Sequence, residues 1–325
     1  LTFSPARLQT SCGFLGIQQL LNGAGFVGTQ TIAVSGASGL VGGRLAQLLK
    51  AAGHTVLPIS RRSVDSSTIV WDPDRGFVNP SRLEGVDAIV HLAGENIAAG
   101  RWSPAQKQKI RDSRVLGTRS LAASLKGLSK PPKTLVCASA IGFYGDRGDE
   151  VLNEQSAPGT GFLVDVCREW EAAAAAGTEL GMRVVQVRLG VVLSAQGGAL
   201  QKMLFPFRMG AGGIVGSGRQ YWSWISVTDA ARIFAFCVEN PGISGPVNAV
   251  SPHTATNFDF TKTLGAVLRR PTIFPLPGFM AKIVLGEMAG PLLLASARVT
   301  PDALRKAGFT FSQPGLRECL EAELK

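Results

Sequence analysis

Three glycines spaced three apart, Gly36, Gly39 and Gly42, constrain this chain more than any other feature. They follow a β-branched run, Thr31-Ile-Ala-Val-Ser35, and precede residues 44–52, where apolar side chains recur at helical spacing until Gly53. Glycine at such a junction lets the chain turn tightly, brings its backbone close to a pyrophosphate, and packs helix on strand with no Cβ between them. The helix start adds unpaired N–H groups and the positive end of its dipole. Gly36, Ala37, Ser38, Gly39, Leu40, Val41 and Gly42 are therefore expected to cradle the phosphates of a dinucleotide.

Residues 54–60 are the next strand candidate. At the end of this strand an NAD-binding chain usually carries an Asp or Glu for the adenosine ribose hydroxyls. Here Arg61 and Arg62 follow, and the first acidic residue of the whole chain is Asp65. Two forked, permanently charged guanidinium groups match a ribose 2′-phosphate. NADP(H) is expected over NAD(H), the alternative being an arginine pair merely exposed after a strand.

Further apolar runs at 87–92, 134–138, 183–188 and 246–249 alternate with helix candidates at 104–128, 161–177 and 227–239. That alternation implies βαβ units with right-handed crossovers, hence an α/β fold with a doubly wound parallel sheet. Beyond residue 251 the strand signal fades, and residues 271–291 form an apolar segment punctuated by Pro and Gly. A small, mainly helical C-terminal cap is expected there. The expected division is a leader or linker over 1–30, a dinucleotide-binding domain over 31–250, and a cap region over 251–325 that shares a substrate cleft with residues 140–225.

Composition narrows the partners. With 325 residues, 45% hydrophobic and 17% charged, the chain is a packed globular protein that needs no disulfide or metal staple. Its five cysteines are scattered without a C-x-x-C and there are three histidines, so no metal site is expected. The most apolar stretch, 272–297, is interrupted by Pro275, Pro277, Lys282, Glu287 and Pro291, which argues against a membrane span. The net charge of +10 invites a nucleic-acid reading. Its densest run, however, is Lys107, Lys109, Arg111 and Arg114 around Asp112, with no aromatic platform, and reads as a solvated helix face. Before Thr31 the only charge is Arg7, and that acid-poor leader looks like a plastid or mitochondrial transit peptide; a cytoplasmic location is the alternative.

Downstream segments carry a resemblance. His91-Leu-Ala-Gly94 follows the third apolar run, and Val115-Leu-Gly-Thr118 follows Arg114. With the glycine loop they resemble the extended short-chain dehydrogenase/reductase superfamily, the group of nucleotide-sugar epimerases and dehydratases. A narrower match, from about Thr31 to the C-terminus, is to the branch called epimerase family proteins, which carries a C-terminal domain of unknown function. It rests on Gly94-Glu-Asn-Ile97, Arg101-Trp-Ser103, residues 141–149 (IGFYGDRGD), 166–171 (VCREWE), Phe205-Pro-Phe207, Trp222-Ser-Trp-Ile225, Arg298-Val-Thr-Pro301 and Ala307-Gly-Phe309. The resemblance implies that Leu92, Ala93 and Gly94 close over the adenine and ribose. It also implies a helix motif N-x-x-G-T, whose Asn position falls on Arg114 here.

Redox chemistry in that superfamily uses Tyr-x-x-x-Lys, in which Lys lowers the Tyr pKa. This chain has two tyrosines, Tyr144 and Tyr221, and four residues after each stand Gly148 and Ile225. The Tyr and Lys positions fall near Leu163 and Cys167, and the helper hydroxyl near Ala140, one residue from Ser139. Ser139 and Tyr144 are the remaining catalytic candidates, and Ser139 also sits where a hydroxyl can face the nicotinamide. Tyr144 reads as a core aromatic first, then as a substrate-stacking ring, then as a general acid. Arg188 ends a strand and is a candidate for binding an anionic substrate, or for pairing with Asp165 or Glu171. Trp222 and Trp224 suit a stacking surface or a cap contact, and Cys167 reads as a small buried apolar residue. Two functions follow: an NADP(H)-dependent oxidoreductase or isomerase acting on a small or nucleotide-linked substrate, or a non-catalytic NADP(H) sensor or scaffold.

Overall fold

The computed structural model describes residues 28–77 and 79–325, so most of the leader expected over 1–30 lies outside the described residues. Ile32, Ala33 and Val34 are sealed on both faces, as a central parallel strand requires, and form β1 (Thr31–Ser35). The chain continues through α1 (Leu40–Ala51), β2 (Thr55–Ser60), β3 (Ile69–Asp72), β4 (Gly76–Phe77), β5 (Ala88–His91), α2 (Pro104–Leu125) and β6 (Thr134–Ala140). Next come β7 (Val151–Leu152), α3 (Phe162–Ala175), β8 (Arg183–Leu189), β9 (Val191–Ser194), α4 (Gly198–Arg208), β10 (Tyr221–Trp222), β11 (Trp224–Ser226) and α5 (Val227–Glu239). The last elements are β12 (Gly245–Ala249), β13 (Ala255–Thr256), α6 (Asn257–Leu268), α7 (Gly278–Leu285), β14 (Arg298–Val299), α8 (Asp302–Lys306) and α9 (Leu316–Leu324).

Eight strands form one sheet in the order β12-β8-β6-β5-β1-β2-β3-β4. All pairs are parallel except the short β3–β4 hairpin. This is the doubly wound sheet that the alternating pattern implied. Strand order reverses between β1 and β5, and there the carboxyl ends open a crevice. Helix starts follow their caps: Ser103 accepts from the Gln106 amide at 3.2 Å to begin α2, and Ser226 accepts from the Asp229 amide at 3.0 Å to begin α5. The α2 helix ends at Leu125, three residues short of the expected 128.

A second core gathers Leu193, Leu200, Leu204, Phe207, Trp222, Trp224, Phe260, Leu264 and Leu320. The cap is therefore built from two stretches of chain, one around α4 and β10 and one from β13 onward. Each large side chain sealed there contributes about 1.5–3 kcal/mol. Two contacts tie the tail to the sheet side: β14 pairs with β7, and the buried Asp229 carboxylate of α5 accepts from the Ser312 and Gln313 amides, both at 2.9 Å. Among the described residues no helix is long and apolar enough to cross a membrane, and no cluster of His, Cys, Asp and Glu could hold a metal ion.

Candidate functional site

At the crevice the three glycines divide their work. Gly36 has φ +69°, and a Cβ on it would stand 3.0 Å from the Leu92 carbonyl carbon and 3.1 Å from the Ala93 nitrogen. A Cβ on Gly42 would collide with the Gly36 carbonyl oxygen. Both residues are glycine because the fold leaves no room there. Gly39 differs: it is exposed, and within 4 Å its missing Cβ would meet only the Gly36 carbonyl, at 3.2 Å. It is also the N-cap of α1, with no side-chain cap bond and no acid in the first turn. The first-turn N–H groups, those of Leu40 and Val41 among them, have no partner within the helix, and such a helix start suits an anion.

Ser35 holds the opposite wall. Its hydroxyl accepts from the amides of Leu92 (3.0 Å) and Ala93 (3.2 Å), so its proton goes to His91 Nδ1 at 2.7 Å. His91 is fully buried, and burial lowers its pKa to about 4. It is a neutral ring protonated on Nε2, edge-on to Trp71 at 5.5 Å. These bonds fix the His91–Gly94 segment against Gly36, on the β5 side of the crevice.

The β2 side carries the charge. Arg61 and Arg62 are exposed just past β2, whose Ile59 is registered with Ser35 of β1. Asp65, the nearest acid, is spent on its own turn. It accepts from the Ser67 amide (2.9 Å) and hydroxyl (2.6 Å) and from the Thr68 amide and hydroxyl (both 3.0 Å). Hydrogen bonds from these two side chains hold its pKa below the usual value.

Further along the edge, Ser139 of β6 and Arg188 of β8 are register partners, and both reach Glu171 of α3. Ser139 Oγ donates to Glu171 Oε1 at 2.7 Å, while Arg188 Nε and Nη2 donate to Oε1 and Oε2, each at 2.8 Å. Arg188 Nη1 then donates to the Tyr144 hydroxyl at 2.9 Å, which lies 2.8 Å from Asn248 Oδ1 and 3.0 Å from the Asn153 carbonyl. Phe143 covers the Arg188 guanidinium at 3.5 Å. The network joins Ser139, Tyr144 and Arg188 but faces inward.

Several alternatives narrow accordingly. Tyr144 has no exposed surface, and burial raises its pKa, which fits a hydrogen-bonded core aromatic, one of its three readings. Arg188 pairs with Glu171, one of the two partners named as alternatives to a substrate anion. Trp224 is sealed in the second core as a cap contact, whereas Trp222 packs on Phe260, donates from its Nε1 to the Leu293 carbonyl at 3.2 Å and also lines the cleft beside this network. Cys167 is buried and its thiol pushed up to about 12 by burial, consistent with an inert apolar role. Leu163 and Cys167 both approach Gly142 in the turn after β6. From sequence, Glu171 stands out only as an ion-pair partner for Arg188. Its signal is positional: it shares a helix face with the buried Cys167 and Ala174 at spacings of four and three.

Beside this network lies a cleft of about 370 Å³. Ile141, Leu163, Val191, Trp222, Leu292 and Ala297 make its walls largely apolar, with Asp146, Thr160, Tyr221, Ser223 and Lys282 as the polar groups.

A doubly wound sheet whose first helix opens on a glycine loop at the strand-order switch defines a Rossmann-type dinucleotide-binding protein. The chain belongs to the NAD dependent epimerase/dehydratase family, whose model matches residues 32–249. A domain of unknown function, DUF1731, matches residues 276–323. The chain is 44% identical over 290 residues to the epimerase family protein MT2273 of Mycobacterium tuberculosis, covering 89% of this chain and 96% of that one. It is 36% identical over 301 residues to the chloroplastic epimerase family protein SDR39U1 homolog of Arabidopsis thaliana, covering 90% and 86%. Among solved structures, the human epimerase family protein SDR39U1, crystallised with NADPH, matches with a TM-score of 0.82 at 34% identity, over 90% of this chain and 98% of that one.

Proposed function

We propose that this chain binds NADPH across the carboxyl edge of its sheet and presents it to a small, largely apolar molecule in the adjoining cleft. One observation carries the reading: Gly39 alone of the three glycines is bare toward solvent, so its missing side chain serves a ligand and not the fold. The first turn of α1 holds the pyrophosphate, and Arg61 and Arg62 hold the 2′-phosphate. Leu92, Ala93 and Gly94 cover the sugar. The relative crystallised with NADPH supports the same cofactor here. Calorimetry tests the reading: NADPH should bind at least tenfold more tightly than NADH, and equal affinities overturn it.

When bound, the cofactor supplies a hydride. Neither Tyr144 nor Tyr221 has a Lys four residues on to exchange the accompanying proton. The Ser139 proton is held by Glu171, and the Tyr144 proton is sealed. An oxidoreductase built this way draws its proton from solvent in the open cleft and turns over slowly. The same sealed network favours a second reading, in which NADPH occupancy is sensed and no reaction is catalysed. Turnover on carbonyl substrates with NADPH separates the two. The acid-poor leader and the chloroplastic relative together support a plastid address.

A further inference from the structure

The cleft of about 370 Å³ is walled by two parts of the chain. Ile141 follows β6 directly, Leu163 comes from α3 and Val191 from β9, whereas Lys282 and Leu292 belong to residues 276–323, the stretch that matches a domain of unknown function. What that stretch adds to an apolar cleft is one positive charge. Two of the polar wall groups are already used: Ser223 Oγ donates to the Ala297 carbonyl at 2.8 Å and accepts from the Val299 amide at 2.9 Å, and Asp146 Oδ1 accepts from the Ser296 amide at 3.0 Å. Among the described residues nothing pairs with the Lys282 ammonium or with the hydroxyls of Thr160 and Tyr221, so these three are open to a ligand.

Lys282 has no second cation beside it in the wall. Arg188 is gripped by Glu171, Arg147 donates to both oxygens of Glu150 at 2.8 and 2.7 Å, and Arg298 lies over the Tyr221 ring, 5.0 Å from its centre. A pyrophosphate-linked sugar brings two negative charges and a polar ring, and is held by forked or paired cations. One ammonium among apolar side chains would strip water from that ligand without replacing it. A single negative charge at the end of an apolar body matches the same wall. We infer that the cleft takes an apolar monocarboxylate, its carboxylate paired with Lys282 Nζ and its hydrocarbon body lying along Ile141, Leu163, Val191 and Leu292. The hydroxyls of Thr160 and Tyr221 remain for one further, neutral polar group. This rests on the reading above, in which the cleft receives a small molecule beside NADPH, and gives that molecule a class.

The test uses calorimetry at low ionic strength on the full chain loaded with NADPH, with octanoate, 1-octanol and UDP-glucose as probes. Octanoate should bind more tightly than 1-octanol, and UDP-glucose should not compete with it. Lys282→Ala should weaken octanoate about fivefold, the scale of an exposed ion pair, and leave 1-octanol and NADPH affinities and the melting temperature unchanged. Lys282→Arg keeps the charge and should recover most of the octanoate affinity. Leu292→Trp fills the cleft and should abolish octanoate binding, which separates the cleft from the exposed apolar face of α7 at Phe279 and Ile283. Octanoate that binds no better than 1-octanol, that is indifferent to Lys282→Ala, or that persists in Leu292→Trp overturns the assignment, as does tighter binding of UDP-glucose; the NADPH reading stands in each case. A parent that binds no NADPH overturns that reading instead, and octanoate on the cofactor-free chain then decides the class of ligand by the same outcomes.

Discussion

Glu171 grips Arg188 through two parallel hydrogen bonds of 2.8 Å, one from Nε and one from Nη2, with both side chains nearly closed off from water. Removing one partner leaves the other as an uncompensated buried charge. Glu171→Ala should therefore lose about 3–5 kcal/mol of stability, read from urea unfolding midpoints. Loss of under 1 kcal/mol would mean that water reaches the pair.

Tyr144→Phe takes the hydroxyl from the centre of the same network and leaves Asn248 Oδ1 and Arg188 Nη1 each short of a bond. The expected cost is about 1–3 kcal/mol, with NADPH affinity unchanged. In the parent, burial raises the pKa of the Tyr144 phenol above its usual value near 10, so the phenolate absorbance that Tyr144→Phe removes should belong to the late, high-pH part of an alkaline titration.

The glycines can be separated by two variants. Gly42→Ala drives a methyl group into the Gly36 carbonyl and should destabilise the fold. Gly39→Val meets that carbonyl only at 3.2 Å from its Cβ, a tight contact and not a collision; it should keep the parental circular dichroism spectrum yet lose the thermal stabilisation given by NADPH. Stabilisation that persists in Gly39→Val would place the phosphates elsewhere. Replacing both Arg61 and Arg62 with Ala should cost about tenfold or more in NADPH affinity and little in NADH affinity.

His91 sets an acid limit. Its folded pKa, lowered by burial to about 4, lies below the unfolded value near 6.5, so the unfolded chain binds the extra proton between these pH values. The stability from keeping this ring neutral is full above pH 6.5 and declines as pH falls toward 4, by about 3 kcal/mol in all. Guanidinium midpoints measured across that range should fall more steeply in the parent than in His91→Leu. Identical slopes would mean that the ring is solvated.

The parallel strands were readable because burial on both faces leaves continuous apolar runs, and β5, β6, β8 and β12 lie within two residues of the runs that marked them. The β3–β4 hairpin was not, since four residues and two residues around a Pro73-Asp74 turn carry no period. Pro206 and the glycines flanking α4 likewise masked that helix. At the candidate site, Gly39 and the arginine pair stand out in the sequence because a glycine turn and two adjacent arginines are local features. The inward turn of Tyr144 does not, because its partners Asn248 and Arg188 lie 104 and 44 residues away and meet it only through tertiary packing.

Because the second core interleaves Leu200, Leu204 and Trp222 with Phe260, Leu264 and Leu320, the two halves of this chain share one fate. A chain cut after Ala249 would not release a working cofactor module; it would bare the apolar side of α4 and β10 and aggregate. For the intact protein this means a single cooperative unit, in which amides of α6 and α9 exchange with solvent mainly when the whole molecule opens. Ligand held at the far edge of the sheet then slows exchange at the C-terminus without touching it.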